Sequence, residues 1–178
     1  MSYIRRQHSP GKQFSMRVLF VHALAMLLGG CSTAATIEGM IPSSFETMKA
    51  HPQTVRVNVT GGQESVAAGR PQITDGAFTQ ALIASITKSQ TFSKVVEDKS
   101  PGEDYLLTVT LFSMDKLVFG QTVKLEAGWT LRRTASGAVV WRESIISEST
   151  HSNVQVATEG AARNNIAQAL AKISKLNF

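Results

Sequence analysis

The sequence predicts an α+β fold: a two-layer sandwich in which a mainly antiparallel sheet of about four to five strands carries two helices on one face. Three observations carry this. Residues 122–133 (TVKLEAGWTLRR) alternate: Val123, Leu125, Ala127, Trp129 and Leu131 share one side, and Lys124, Glu126, Thr130 and Arg132 share the other. That is the period of a strand with one buried and one solvated face. Phe78, Ala81, Leu82, Ser85 and Ile86 follow i, i+3, i+4, i+7, i+8 spacing, one face of a helix. Ala162, Ile166, Ala169, Leu170 and Ile173 repeat such a stripe near the C-terminus. Two apolar stripes need a surface to cover, and the Trp129 face of the sheet supplies it, leaving the Lys124 face to water.

The element order is βαβββα. Residues 55–59 (VRVNV) alternate as a half-buried strand. A loop with Gly61, Gly62, Gly69 and Pro71 follows, and Thr74 or Asp75 caps a helix to about Ser89. Phe92 and Val95–Val96 lead into a short strand, and a Pro-Gly turn at 99–104 precedes a long strand, YLLTVTLFSM, at 105–114. TASG at 134–137 is a hairpin turn between strand 122–133 and a return strand at 138–150. Thr158 is placed to cap the last helix, to about Lys175. Hydrophobic residues at 43% and aromatic residues at 7% are ordinary for a globular domain and exclude wholesale disorder.

The formal charge of +5 belongs to the first segment. Of 18 basic residues, Arg5, Arg6, Lys12 and Arg17 precede Cys31, and the first acidic residue is Glu38. Beyond Cys31 the balance is 14 basic to 13 acidic residues, so net charge gives no ground for a polyanion-binding surface, and nucleic acid is not an expected partner. The basic stretch leads into VLFVHALAMLL at 18–28, too short to span about 30 Å of hydrocarbon and of signal-peptide length. It ends Leu28-Gly29-Gly30-Cys31.

This tail resembles the lipobox of bacterial lipoproteins: an aliphatic residue, two small residues and a cysteine. The resemblance implies a signal peptide at 1–30, diacylglycerol on the Cys31 thiol, and acylation, for example by palmitate, of its new amino group. Ser32, where an Asp retains lipoproteins in the inner membrane of enterobacteria-like cells, implies the outer membrane of a Gram-negative bacterium, facing the periplasm. Residues 31–53 then read as a lipidated tether, with Pro42 and Pro52 as breakers and Ile41, Phe45 and Met48 able to pack a short turn onto the domain. Residues 54–178 read as the globular periplasmic domain.

Catalytic and metal-binding patterns are sparse. Beyond the first segment the histidines are His51 and His151, neither with a ligand at metal-binding spacing, and both are expected in exposed loops. Gly69-Arg70-Pro71 is not the GK[ST] of a phosphate-binding loop, and Ser65 lies outside a G-x-S-x-G elbow. Glu97–Asp98 and Glu103–Asp104 read as a solvated turn, since paired carboxylates need burial to split their pKa values. No metal, cofactor or catalytic residue is therefore expected. The exception to polar loops is Leu117-Val118-Phe119-Gly120, between two strands. Either the strands run on and bury these residues under the last helix, or Leu117, Val118 and Phe119 meet a partner or lipid.

The layout from about 74 to 176 resembles small Gram-negative periplasm-facing lipoproteins, among them auxiliary lipoproteins of ABC-type transporters and YajG-like lipoproteins. The residues that carry this are the helix and strand AFTQALIASITKSQTFSKVV, the strand opening EDYLLTVTL, the closing pair at SGAVVW and the alanine-rich last helix. The resemblance implies a non-enzymatic accessory or binding subunit of an envelope transport or assembly complex, anchored in membrane lipid through acylated Cys31 and bound to an envelope protein. A small-ligand or lipid-binding periplasmic module, with a cavity between helices and sheet, is the alternative, and a hydrolase a third.

Overall fold

The structure is a computed structural model that describes residues 34–45, 49–63, 70–96, 102–117 and 121–177. Its elements in chain order are α1 (Ile37–Met40), β1 (His51–Thr60), α2 (Asp75–Ser89), β2 (Phe92–Val96), β3 (Tyr105–Lys116), β4 (Thr122–Arg133), β5 (Val139–Thr150) and α3 (Val154–Ile173). The strands form one sheet in the order β2-β1-β3-β4-β5. The α+β class and the two-layer form are those expected. The sheet, however, is mixed rather than mainly antiparallel: β1 pairs in parallel with both β2 and β3, and only β3–β4 and β4–β5 are antiparallel. The reason is the crossover through α2, which brings β2 back beside β1 in the same direction.

The core lies between the helices and the Trp129 face. Trp129, Phe78, Leu82, Leu107, Leu125, Leu131, Ile166 and Leu170 are all fully buried. Phe78 tilts against Trp129 with ring centroids 6.2 Å apart. A polar network ties this core together. Trp129 Nε1 donates to Asn165 Oδ1 at 2.9 Å, and Asn165 Nδ2 donates to the Ile145 carbonyl at 2.9 Å and to Ser147 Oγ at 3.1 Å. Ser147 Oγ donates in turn to the Ala161 carbonyl at 2.8 Å. Each polar atom taken from water thus finds a partner, which links β4, β5 and α3 at defined depth and register.

Two helix starts differ in how they read. Thr74 caps α2, its side chain accepting from the Ala77 N–H. For α3 the cap is Asn153, which accepts from the Gln155 and Val156 N–H groups. Thr158 lies a turn further in, buried, and its hydroxyl donates to the Val154 carbonyl.

Part of the segment read as a tether packs on the domain. Ala35 and Met40 belong to the buried core, and Ile37, Ile41 and Phe45 pack against it. Lys88 Nζ, in the last turn of α2, donates to the carbonyls of Pro42 and Ser43 at 3.0 Å each. Residues 34–45 therefore run along the helical layer from the end where α2 and α3 begin to the end where α2 finishes.

Candidate functional site

Of the residues singled out in the sequence, Cys31, Val118 and Phe119 lie outside those described, and Leu117 is described. β3 runs on to Lys116, and the Leu117 N–H donates to the Thr122 carbonyl at 2.9 Å. The strands do extend, as one expectation held, yet Leu117 is not hidden under α3: it is 40% exposed. A bulge precedes it. Leu111 pairs with Ala127 and Ser113 with Glu126, so Phe112 is the extra residue. Phe112 turns to the open face, 60% exposed, with its ring over Gly128, where a Cβ would overlap it. The bulge therefore turns a large aromatic side chain toward solvent rather than into the core.

The same end of the domain receives the N-terminal segment. Ala34 bridges to Gln72, and the Ala35 N–H donates to the Gln72 carbonyl at 2.9 Å. Gln72 Nε2 donates to the Gln63 carbonyl, and the Gln63 N–H donates to the Ile73 carbonyl at 2.8 Å. Gln63, Arg70 and Pro71 then line a groove of about 700 Å³ with Phe112, Met114 and Lys116. Both long helices start at this end, and β3 and β5 finish there.

A carboxylate fixes that geometry. Glu159, almost wholly buried on α3, accepts from the Thr36 N–H at 2.9 Å, from Thr36 Oγ1 at 2.8 Å and from Gln155 Nε2 at 3.0 Å. Thr36 Oγ1 also accepts from the Gly39 N–H, capping α1. Gly39 carries no Cβ, and one there would overlap the Glu159 carboxylate. Charge-assisted bonds of this kind are roughly twice as strong as neutral ones, so Glu159 is a latch on the chain that leads in from the N-terminus.

Two expectations are corrected. His51 is buried at the start of β1, not exposed in a loop: its Nε2 lies 3.1 Å from the Ile173 carbonyl, which can only accept, so the proton sits on Nε2. Burial holds its pKa below the usual imidazole range; the bond to Ile173 opposes this and nearby Lys49 adds to it. Glu103 is not solvated either: it is buried and pairs with Arg56 at 2.6 Å, on the strand beside its own loop. Asp104 beside it does face solvent while accepting from the Thr54 N–H at 2.8 Å. His151 is exposed, as expected.

Among the described residues no helix is long and apolar enough to cross a membrane, and no group of three or more His, Cys, Asp or Glu side chains is placed to hold a metal ion.

No family model matches the chain, and no curated protein matches it in sequence. Solved structures do share its fold. Protein XCC0632 from Xanthomonas campestris, of family DUF330, is 12% identical with a TM-score of 0.59, over 79% of this chain and 93% of that one. The PelC dodecamer from Paraburkholderia phytofirmans is 14% identical with a TM-score of 0.51, over 76% of this chain and 96% of that one. Hypothetical protein CT253 from Chlamydia trachomatis is 7% identical with a TM-score of 0.52, over 69% of this chain and 98% of that one. At these identities the likeness is one of fold: this chain is similar to all three in the course of its backbone.

Proposed function

We propose that the chain is a bacterial envelope lipoprotein, acylated at Cys31 and freed of residues 1–30, that holds a non-enzymatic binding domain at the periplasmic face of the outer membrane. The observation that carries this reading is the sequence itself: a basic start, an eleven-residue apolar run and Leu28-Gly29-Gly30-Cys31. A thiol is the best nucleophile available for alkylation, and each buried acyl methylene adds about 0.8 kcal/mol of membrane affinity, so two or three chains anchor stably. Ser32, in place of Asp, favours the outer membrane. The domain's part is to bind: its open sheet face presents Phe112 and Ile146, both more than half exposed, to an envelope protein partner.

One observation favours a small-ligand module. A cleft of about 650 Å³ opens at the β2 edge, lined by His51, Ile83, Phe92 and Lys94. Between helices and sheet the space is filled by Trp129, Phe78, Leu82 and Ile166, so a ligand would have to take the edge cleft.

Metabolic labelling with palmitate tests the lipoprotein reading. The full chain is expected to take the label and to run shorter than its precursor, and Cys31→Ala to take none and stay uncleaved. Label that persists in Cys31→Ala overturns the reading.

A further inference from the structure

We infer that the end of the domain bearing Ala34 lies on the lipid surface, and that the tip of the β3–β4 hairpin, marked by Leu117, dips into the headgroup layer of that bilayer. The inference rests on the acylation of Cys31 proposed above, and its argument is one of reach. Three residue steps separate Cys31 from Ala34. An extended chain spans at most about 3.6 Å per residue, so Ala34 is held within roughly 11 Å of the lipidated residue. A loose tether over 31–53 would reach roughly 80 Å by the same rule and favour no end of the domain.

From Ala34 onward the chain is fastened. Ala35 bonds to Gln72, Thr36 to Glu159, and Met40 is fully buried. The short leash therefore emerges at one fixed place, the end where β3 finishes and Leu117 stands exposed. The other end of β4 is eleven residues away, roughly 37 Å at about 3.4 Å per residue. Four of the five exposed large apolar side chains among the described residues, Phe112, Leu117, Ile146 and Val156, lie in the half of the domain toward Ala34. Charge is balanced there: Arg70, Lys116 and Lys124 stand against Asp115, Glu126 and Glu148. Contact with lipid at this end is thus apolar and needs no anionic headgroup.

The test uses the full lipidated chain in phosphatidylcholine vesicles. With Cys31 acylated, a second cysteine is the single free thiol. Leu117→Cys and, at the far hairpin, Ser136→Cys are each labelled with an environment-sensitive fluorophore, and the intact mass of each sample is recorded. The expected result is that lipid-borne quenchers act several-fold more strongly on the label at 117, and aqueous iodide several-fold more strongly on the label at 136. Equal quenching at both positions overturns the inference. So does a label at 117 that is open to iodide in vesicles and shielded only in native envelopes, which would mean a protein contact. An acylated Cys31 with an aqueous label at 117 rejects this inference alone; an unmodified Cys31 rejects the lipoprotein reading and this inference with it. In Glu159→Gln the longer leash should reduce the contrast between the two positions, and an undiminished contrast overturns the argument from reach.

Discussion

β4 belongs to two hairpins, and they are built for different surroundings. At the β5 side the chain closes on itself. The Arg133 N–H donates to the Ala138 carbonyl at 2.8 Å, and the Gly137 N–H donates to the Arg133 carbonyl at 2.9 Å. Gly137 takes a left-handed φ of 68°, and Arg132 Nη1 donates to its carbonyl at 2.7 Å. Residues 132–139 are all exposed, and most are polar or small. At the β3 side a bulge precedes the turn, and an apolar Leu117 stands in solvent. The first hairpin satisfies its backbone and needs nothing further. The second exposes a side chain that the fold leaves uncovered, and it does so where the N-terminal segment joins the domain. Folding accounts for the first arrangement, while the second calls for something outside the domain to cover it.

The comparison can be broken first at the strand both hairpins share. Trp129→Ala removes a fully buried ring and its bond to Asn165, and should cost about 3–5 kcal/mol, read by urea denaturation. A loss under about 1 kcal/mol would mean that the Trp129 face does not organise the core. Glu159→Ala unlatches the N-terminal segment and should cost about 1.5–3 kcal/mol, with new protease cleavage before residue 50 and none near 134–138. At the polar hairpin, Gly137→Ala forces a Cβ onto a left-handed backbone and should cost about 1–2 kcal/mol without affecting membrane contact.

His51 gives the end opposite Ala34 a pH response. Its folded pKa is lowered by burial, so the unfolded chain takes up a proton first as pH falls. The contribution is fully present above the ordinary value of 6.5 and is lost as pH drops through the folded value. Denaturation midpoints should therefore decline below pH 6.5, and His51→Gln should flatten that decline. The smallest effect on stability belongs to Leu117→Ser, within about 0.5 kcal/mol as for other exposed positions. A larger loss would place Leu117 in the core and remove the contrast between the hairpins.

Alternation made β3 and β4 legible, because a period of two names which residues share a face. It does not name which strand lies alongside, and so the parallel pairing of β1 with β3 was not readable. α2 was legible from its cap and stripe together. α3 misled because Val154 and Val156 are only partly covered and add nothing to the stripe, while Thr158 imitates a cap from inside the helix. Glu103 and Glu159 read as solvated or neutral positions because their partners, Arg56 and Thr36, are remote in sequence. One signal was present for Glu159: it lies in Thr158-Glu159-Gly160-Ala161-Ala162, a run of small residues on every side of the helix, which permits close approach all round. Of the candidate site, the apolar tip was legible at Leu117. Its nearness to Ala34 was not, because it depends on the bridge to Gln72.

Hydrogen exchange on the lipidated chain in vesicles, set against the same domain from about residue 34 in solution, tests the central difference most directly. The account requires slower exchange at 115–122 in vesicles and unchanged exchange at 134–138. Equal behaviour of the two hairpins, or protection at 134–138 alone, would contradict it.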